Sequence, residues 1–209
     1  LGWIGLGRMG LPIAERLVNA GADLAGYNRT GAKAKPLGDA GAALVARPVD
    51  LAGRDIVFTM VSTAADLFQV TTGPDGVLAD PDVAPRILID CSTVAERESS
   101  VLRKAAAARG TELLVAAVSG NDVVARAGRL RVLASGPRQT FETALPYLAC
   151  FGEDVSYVGD GDSARIVKIC HNMLLAVTFQ ALAEIAVLGE AAGVPRHTTL
   201  DVINRSVLG

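Results

Sequence analysis

The sequence predicts a doubly wound, mostly parallel α/β sheet followed by the start of an all-helical domain. Three observations carry the prediction. Short apolar runs alternate with helical patterns from residue 2 to residue 158. A GxGxxG turn joins the first run to the first helical pattern. After Gly159-Asp160-Gly161 the strands stop and one long helical stretch begins.

The elements follow in order. Residues 2–5 form the first expected strand and 9–20 the first helix. Residues 23–27 follow as a strand, with a weaker one at 42–45. Residues 55–61 (DIVFTMV) and 86–90 (RILID) are nearly continuous apolar runs. Strands covered on both faces have this pattern, as in parallel sheets. Strands are also expected at 112–116, 131–134 and 155–158, and helices at 64–70, 95–109 and Arg138–Leu148. Residues 72–76 (TGPDG) carry dense turn signals. From residue 163 to 192 there is no Pro and only Gly189, so one helix apolar on most faces is expected, which other elements must bury. Gly193-Val194-Pro195 stops it, and 196–207 reads as the next helix. The expected domains are 1–161 and 162–209. The helical one is expected to be truncated, with no cap at Gly209, and the chain opens at Leu1 inside a strand, so residues ahead of it are expected.

Composition narrows the function. The 209 residues are 50% hydrophobic and 20% charged, enough for a core and against disorder. Lys and Arg number 20 against 22 Asp and Glu, and a net charge of −2 lacks the footprint of a nucleic-acid or membrane-surface binder. Aromatics at 4% argue against stacking platforms for single strands. No apolar run approaches the roughly 18 to 20 residues a membrane span needs. Cys91, Cys150 and Cys170 are far apart and His residues number 2, so no metal site is expected and the thiols fit a reducing cytoplasm.

The turn Gly5-Leu6-Gly7-Arg8-Met9-Gly10 has the chemistry of a pyrophosphate cradle. Gly5 permits the tight turn, Gly7 lets backbone approach the anion, and Gly10 lets helix pack on strand. Amides at the helix start then meet the charge. The strand at 23–27 ends in Asn28-Arg29-Thr30, without the acid that accepts from a ribose 2′-hydroxyl. Arg29 can pair with a 2′-phosphate, and Asn28 and Thr30 can donate to it, which favours NADP over NAD.

Lys168 and Asn172 are four apart and share a helical face. Ile166, Val167, Ile169 and Cys170 flank the lysine. By spacing alone, it is either a charged group with a task or a stem covering apolar surface. Ser119-Gly120 lies beyond the 112–116 strand, where open α/β sheets bind ligands, although an ordinary turn has the same composition. Thr93 opens a connection with Glu96 at capping-box spacing.

Four blocks in order resemble the β-hydroxyacid dehydrogenases. Gly5–Gly10 with Leu11-Pro12-Ile13-Ala14 is similar to the family's GxGxMGxPMA opening. Asp90-Cys91-Ser92-Thr93 resembles its D-x-S-T turn, Val118-Ser119-Gly120-Asn121 its substrate loop, and Lys168-Ile169-Cys170-His171-Asn172 its KxxNN segment. The resemblance implies a Rossmann-like fold and hydride transfer between a nicotinamide and a small β-hydroxy acid, or the matching semialdehyde or keto acid. It implies Lys168 as general acid or base, Asn172 orienting the substrate oxygen, and Ser119, Gly120 and Asn121 holding a carboxylate. His171, where the family has Asn, is expected to tune substrate choice. Leu6, Arg8, Met9, Val61, Ser62 and Thr93 complete the expected coenzyme set. The family's helical domains pair, so a homodimer or homotetramer is expected.

Three departures fall on the substrate side. Val115-Ala116-Ala117 replaces Asp-Ala-Pro, Asn121 replaces the loop's last Gly, and Asp162-Ser163-Ala164 replaces G-x-G. Imine reductases share the architecture but carry Asp or Tyr where Lys168 stands, and non-catalytic relatives lose the lysine, so Lys168 weighs against both.

Overall fold

Eight strands line up in one sheet in the order β3-β2-β1-β4-β5-β6-β7-β8. The computed structural model describes residues 1–206. Along the chain lie Gly2–Ile4 (β1), Gly10–Asn19 (α1), Ala25–Tyr27 (β2), Lys35–Asp39 (α2), Ala43–Leu44 (β3), Ile56–Thr59 (β4), Ala64–Thr71 (α3) and Ile87–Asp90 (β5). Glu96–Ala107 (α4), Glu112–Ser119 (β6), Asp122–Arg126 (α5), Leu130–Ser135 (β7), Arg138–Leu148 (α6), Gly152–Tyr157 (β8), Ser163–Ala191 (α7) and Arg196–Asn204 (α8) follow. All neighbouring strands are parallel except β6 and β7. The chain leaves β1 for β2 on one side and returns through β4 on the other. Open sheets bind ligands at such a switch point.

Alternation along the strands builds two cores. Trp3, Phe58 and Ile89 point to one face of the sheet, and Ile4, Val57 and Leu88 to the other. Trp3 stacks on Phe58, with ring centroids 5.2 Å apart, and Phe58 meets the edge of Phe151. Helix α1 buries Ile13, Ala14 and Leu17 on the first face, and α3 and α4 bury Leu67 and Leu102 on the opposite one. Each such leucine or isoleucine side chain contributes about 1.5–3 kcal/mol through its removal from water. Gly21, at φ +89°, ends α1: its N–H donates to the Val18 carbonyl, and the Ala22 N–H donates to that of Leu17.

Several expected bounds change. The strand expected at 155–158 begins at Gly152, since β8 pairs only with β7 and tolerates Glu153 and Asp154 at the sheet edge. Strand β6 runs on to Ser119 because β7 returns antiparallel beside it. Helices α2 and α5 were not expected. Each has five residues, too few for an amphipathic pattern, and α2 contains Pro36 and Gly38.

The described chain divides into two units, Leu1–Lys168 and Ile169–Gly209, with the division inside α7. In the second unit Gly193, at φ +84°, and a hydrogen bond from the Val194 N–H to the Gly189 carbonyl turn the chain into α8. Arg196 pairs with Glu190 at 2.8 Å. The expectation that nothing here has the dimensions of a membrane span needs correction. Helix α7 has 29 residues and a window of mean hydropathy 1.6, long and apolar enough to cross a bilayer. A count of uninterrupted runs missed it because isolated polar residues break a run without lowering the average much. Met173, Leu174, Val177, Phe179 and Leu188 are exposed, so most of the burial expected for this helix is not found among the described residues. Val207, the expected end of the last helix, and the uncapped end at Gly209 lie outside the described residues.

Candidate functional site

Strand β1 ends in a turn whose glycines do three different jobs. Gly5 sits at φ +98°, and a Cβ there would lie 2.2 Å from the Met60 carbonyl oxygen. A Cβ on Gly10 would lie 2.0 Å from the Gly5 carbonyl oxygen. These two let the turn close on β4 and the helix close on the turn. A Cβ on Gly7 would meet nothing within 4 Å, so this glycine faces open space. The Trp3 indole N–H donates to the Gly5 carbonyl at 3.0 Å and fixes the turn from below. The amides of Arg8 and Met9, ahead of α1, make no backbone hydrogen bond among the described residues. This is the geometry of a cradle for a phosphate group. Leu6 contributes differently: its N–H donates to Asn28 Oδ1 at 2.9 Å, so it holds the turn.

A cleft of about 600 Å³ opens from the turn and is lined by Gly7, Asn28, Arg29, Thr30, Val61 and Ser62. Lys33 and Arg47 also line it. Asn28 also has a structural task. Its carbonyl accepts from Leu6 and its amide donates to the Thr30 carbonyl at 2.9 Å, which leaves one amide hydrogen. It shapes the loop more than it offers donors. Arg29 Nη1 pairs with Asp66 Oδ1 at 2.6 Å on the rim of the cleft. Asp66 also accepts from the Thr63 hydroxyl at 2.8 Å. The Thr63 hydroxyl, and after it Arg29, hold the Asp66 carboxyl below its ordinary pKa of 3.8. Arg47 pairs with Asp50 at 2.9 Å and Asp75 at 3.4 Å. Arg29 and Arg47 therefore rest on carboxylates.

The tip of β5 forms another corner. Ser92 Oγ accepts from the Val61 N–H at 3.0 Å and ties this tip to that of β4. Thr93 Oγ1 accepts from Lys168 Nζ at 3.0 Å. Lys168 is half-buried. Burial pushes its pKa below 10.5; the neighbouring Cys91 opposes this and Arg165 adds to it. Burial in turn drives the Cys91 thiol upward. Asp90 is fully buried, accepts from the Thr59 hydroxyl at 2.8 Å and the Ser92 N–H at 3.0 Å, and pairs with Arg165.

The loop expected to hold substrate follows β6. Ser119 pairs with Arg131 in the β6–β7 ladder. Gly120 has φ +134°, and a Cβ there would meet Leu130 at 2.7 Å. Asn121 Oδ1 accepts from the Val124 N–H at 3.0 Å, so its carbonyl caps α5 and only its amide is left for a ligand. Arg8 of the glycine turn reaches this loop and pairs with Asp122 at 2.8 Å. His171 and Asn172 belong to the second unit, where Nδ1 of one lies 3.4 Å from Oδ1 of the other.

The structure thus joins Leu6 to Asn28, Val61 to Ser92 and Lys168 to Thr93. Sequence reasoning missed Asp66, Asp162 and Arg165. For the last two a signal existed: oppositely charged residues three apart, just ahead of Lys168 in an apolar stretch.

Two family models match the chain. Residues 1–159 match the NAD binding domain of 6-phosphogluconate dehydrogenase, and residues 162–209 match the NAD-binding domain of NADP-dependent 3-hydroxyisobutyrate dehydrogenase. The chain is 33% identical over 207 residues to human mitochondrial 3-hydroxyisobutyrate dehydrogenase, covering 99% of this chain and 61% of that protein. A solved 3-hydroxyisobutyrate dehydrogenase from Mycobacterium tuberculosis, with L-serine, superposes with a TM-score of 0.88 and 30% identity, over 100% of this chain and 70% of that one. An imine reductase from Myxococcus stipitatus shares the fold at 20% identity and a TM-score of 0.86, over 97% and 69% of the two chains.

Proposed function

The chain belongs to the β-hydroxyacid dehydrogenase family, and from that premise we propose that it supplies the coenzyme site and proton-carrying lysine of an NADP-dependent oxidoreductase. Its substrates are a small β-hydroxy acid and the matching semialdehyde or keto acid. The coenzyme supplies the hydride acceptor or donor. Residues 1–161 form the coenzyme domain and 162–209 begin the helical substrate and pairing domain.

Gly7 and the amides of Arg8 and Met9 hold the pyrophosphate in this reading. Arg29 grips the 2′-phosphate, with Lys33 and Arg47 nearby and Thr30 donating, which supports NADP over NAD. Val61, Ser62 and Thr93 line the path to the nicotinamide. Lys168 gives a proton to the substrate oxygen in reduction and takes one in oxidation. Asn172 orients that oxygen, Ser119, Gly120 and the Asn121 amide anchor the carboxylate, and His171 tunes substrate choice. The exposed apolar residues of α7 support a homodimer or homotetramer. The free cysteines support a cytoplasmic setting. No role for nucleic acid, membrane or metal enters this reading.

One observation carries the proposal: a half-buried lysine with a lowered pKa, hydrogen-bonded at the tip of β5. The oxidation rate should therefore rise with pH along a limb lying below the ordinary lysine value of 10.5, where the neutral amine forms. The test replaces Lys168 with Ala in the intact protein and follows NADPH absorbance over a panel of hydroxy acids and imines. Turnover of hydroxy acids should fall by about 10²–10⁴-fold with coenzyme binding kept. Near-normal turnover removes Lys168 from its role, and turnover of imines alone points to the other chemistry.

A further inference from the structure

Arg165 is 3% exposed at its side chain, one turn ahead of Lys168 on α7. Its Nη1 donates to the Ser92 carbonyl at 2.7 Å, and its Nη2 donates to the fully buried Asp90. Its Nε has no hydrogen-bond partner but lies 3.4 Å from Asp162 Oδ1. Asp162 also accepts from Arg103 at 3.1 Å and from the Ser99 hydroxyl. Two acids and two guanidinium groups thus join β5, α4 and the start of α7. Asp162 stands where the family carries a glycine of G-x-G, so this link belongs to the present sequence.

We infer that Arg165, braced by Asp162, is a positioning residue that pins the first turn of α7 to the tip of β5 and so holds the Lys168 amine at Thr93. The physical reason is the planar fork. Arginine can bond two acceptors on one side and face a third, and a lysine in its place reaches only one of them at a time. The pairing is buried, so few waters compete for it. Moving this turn by about an ångström misplaces Lys168 on the scale that costs about a hundredfold in rate. The inference rests on Lys168 carrying the proton, as proposed above.

The test uses Arg165→Gln, Arg165→Lys and Asp162→Asn in the intact protein, with three readouts. Turnover should fall by about ten- to a hundredfold in Arg165→Gln, with a smaller loss in Asp162→Asn. Coenzyme affinity, followed by Trp3 fluorescence, should stay within about twofold, since Arg165 does not line the cleft. The third readout needs no coenzyme: the pH at which Lys168 becomes half-reactive toward an acylating reagent, measured by peptide mass. The groups facing Lys168 are Cys91 and Arg165. Losing the guanidinium and admitting water both raise that pH, so the midpoint should move up in Arg165→Gln. Arg165→Lys keeps the charge, so it should restore the midpoint more than the turnover. Removing a buried partner can unfold a protein; in that event Asp162→Asn decides alone. Turnover and midpoint both unchanged in the folded variants overturn the inference. If Lys168→Ala also keeps turnover, the parent reading fails instead.

Discussion

The glycine turn after β1 and the lysine corner after β5 are prepared by opposite means. At the turn, side chains are removed: Gly5 and Gly10 let backbone press on backbone, and Gly7 leaves space. At the corner, side chains are added and locked, with Asp90 and Arg165 buried and Asp162 half-buried around the approach to Lys168. Under the proposed function, the contrast follows from what each would hold. A bulky anion needs room and aligned amides. A proton carrier needs one amine held at a fixed point in a partly dry environment.

Adding a methyl group breaks the comparison most sharply. Gly10→Ala should lower stability by about 1–3 kcal/mol, because the new Cβ collides with a backbone oxygen that cannot swing aside. It should also abolish coenzyme binding. Gly7→Ala, with nothing within 4 Å, should keep the melting temperature of the parent and still weaken coenzyme binding by about tenfold or more. Thermal unfolding with Trp3 fluorescence titration separates the two. Equal stability loss in both variants would show that Gly7 is structural and that the space it faces has no use.

The next effect sharpens the adenosine end. Arg29→Ala should weaken NADP by about ten- to a hundredfold, the worth of one or two hydrogen bonds to a charged group, and leave NAD nearly unchanged. Asp66→Asn should have the opposite sign and a smaller size. The carboxylate occupies Arg29 at 2.6 Å, so neutralising it frees the guanidinium. Titration of each variant with both coenzymes measures the ratio.

Much of this was legible in the sequence, for reasons that separate the two regions. A glycine turn is local: strand, spacing and helix lie within a dozen residues, and the apolar runs of β4 and β5 announce buried parallel strands. The parallel pairing of these strands follows from that alternation, whereas their order β3-β2-β1-β4-β5 does not. Nor does the antiparallel return of β7, since strand direction leaves no mark on a six-residue pattern. Long-range pairs were hidden too. Nothing in the residues of Asp90 or Arg165 shows that they meet across 75 positions. Asn28 and Asn121, expected as binding residues, also give their carbonyls to the backbone of Leu6 and Val124, a use that composition cannot reveal.

The smallest effect concerns the strap between the glycine turn and the substrate loop. Arg8 holds the half-buried Asp122 carboxyl below 3.8, chiefly through its hydrogen bond. A carboxylate whose pKa is lower folded than unfolded stabilises the fold above the unfolded value. That contribution fades as pH falls through the folded value. Arg8→Gln should therefore be slightly less stable than the parent at pH 7, and the gap should close in acid below that point. A surface pair is also screened, so the pH 7 gap should shrink in high salt. Denaturant titrations of both proteins at pH 7 and pH 3, with and without salt, measure it. A gap that persists unchanged in acid would assign the role of Arg8 to packing of its stem against the loop, and the turn would then be held without charge, as its glycines already imply.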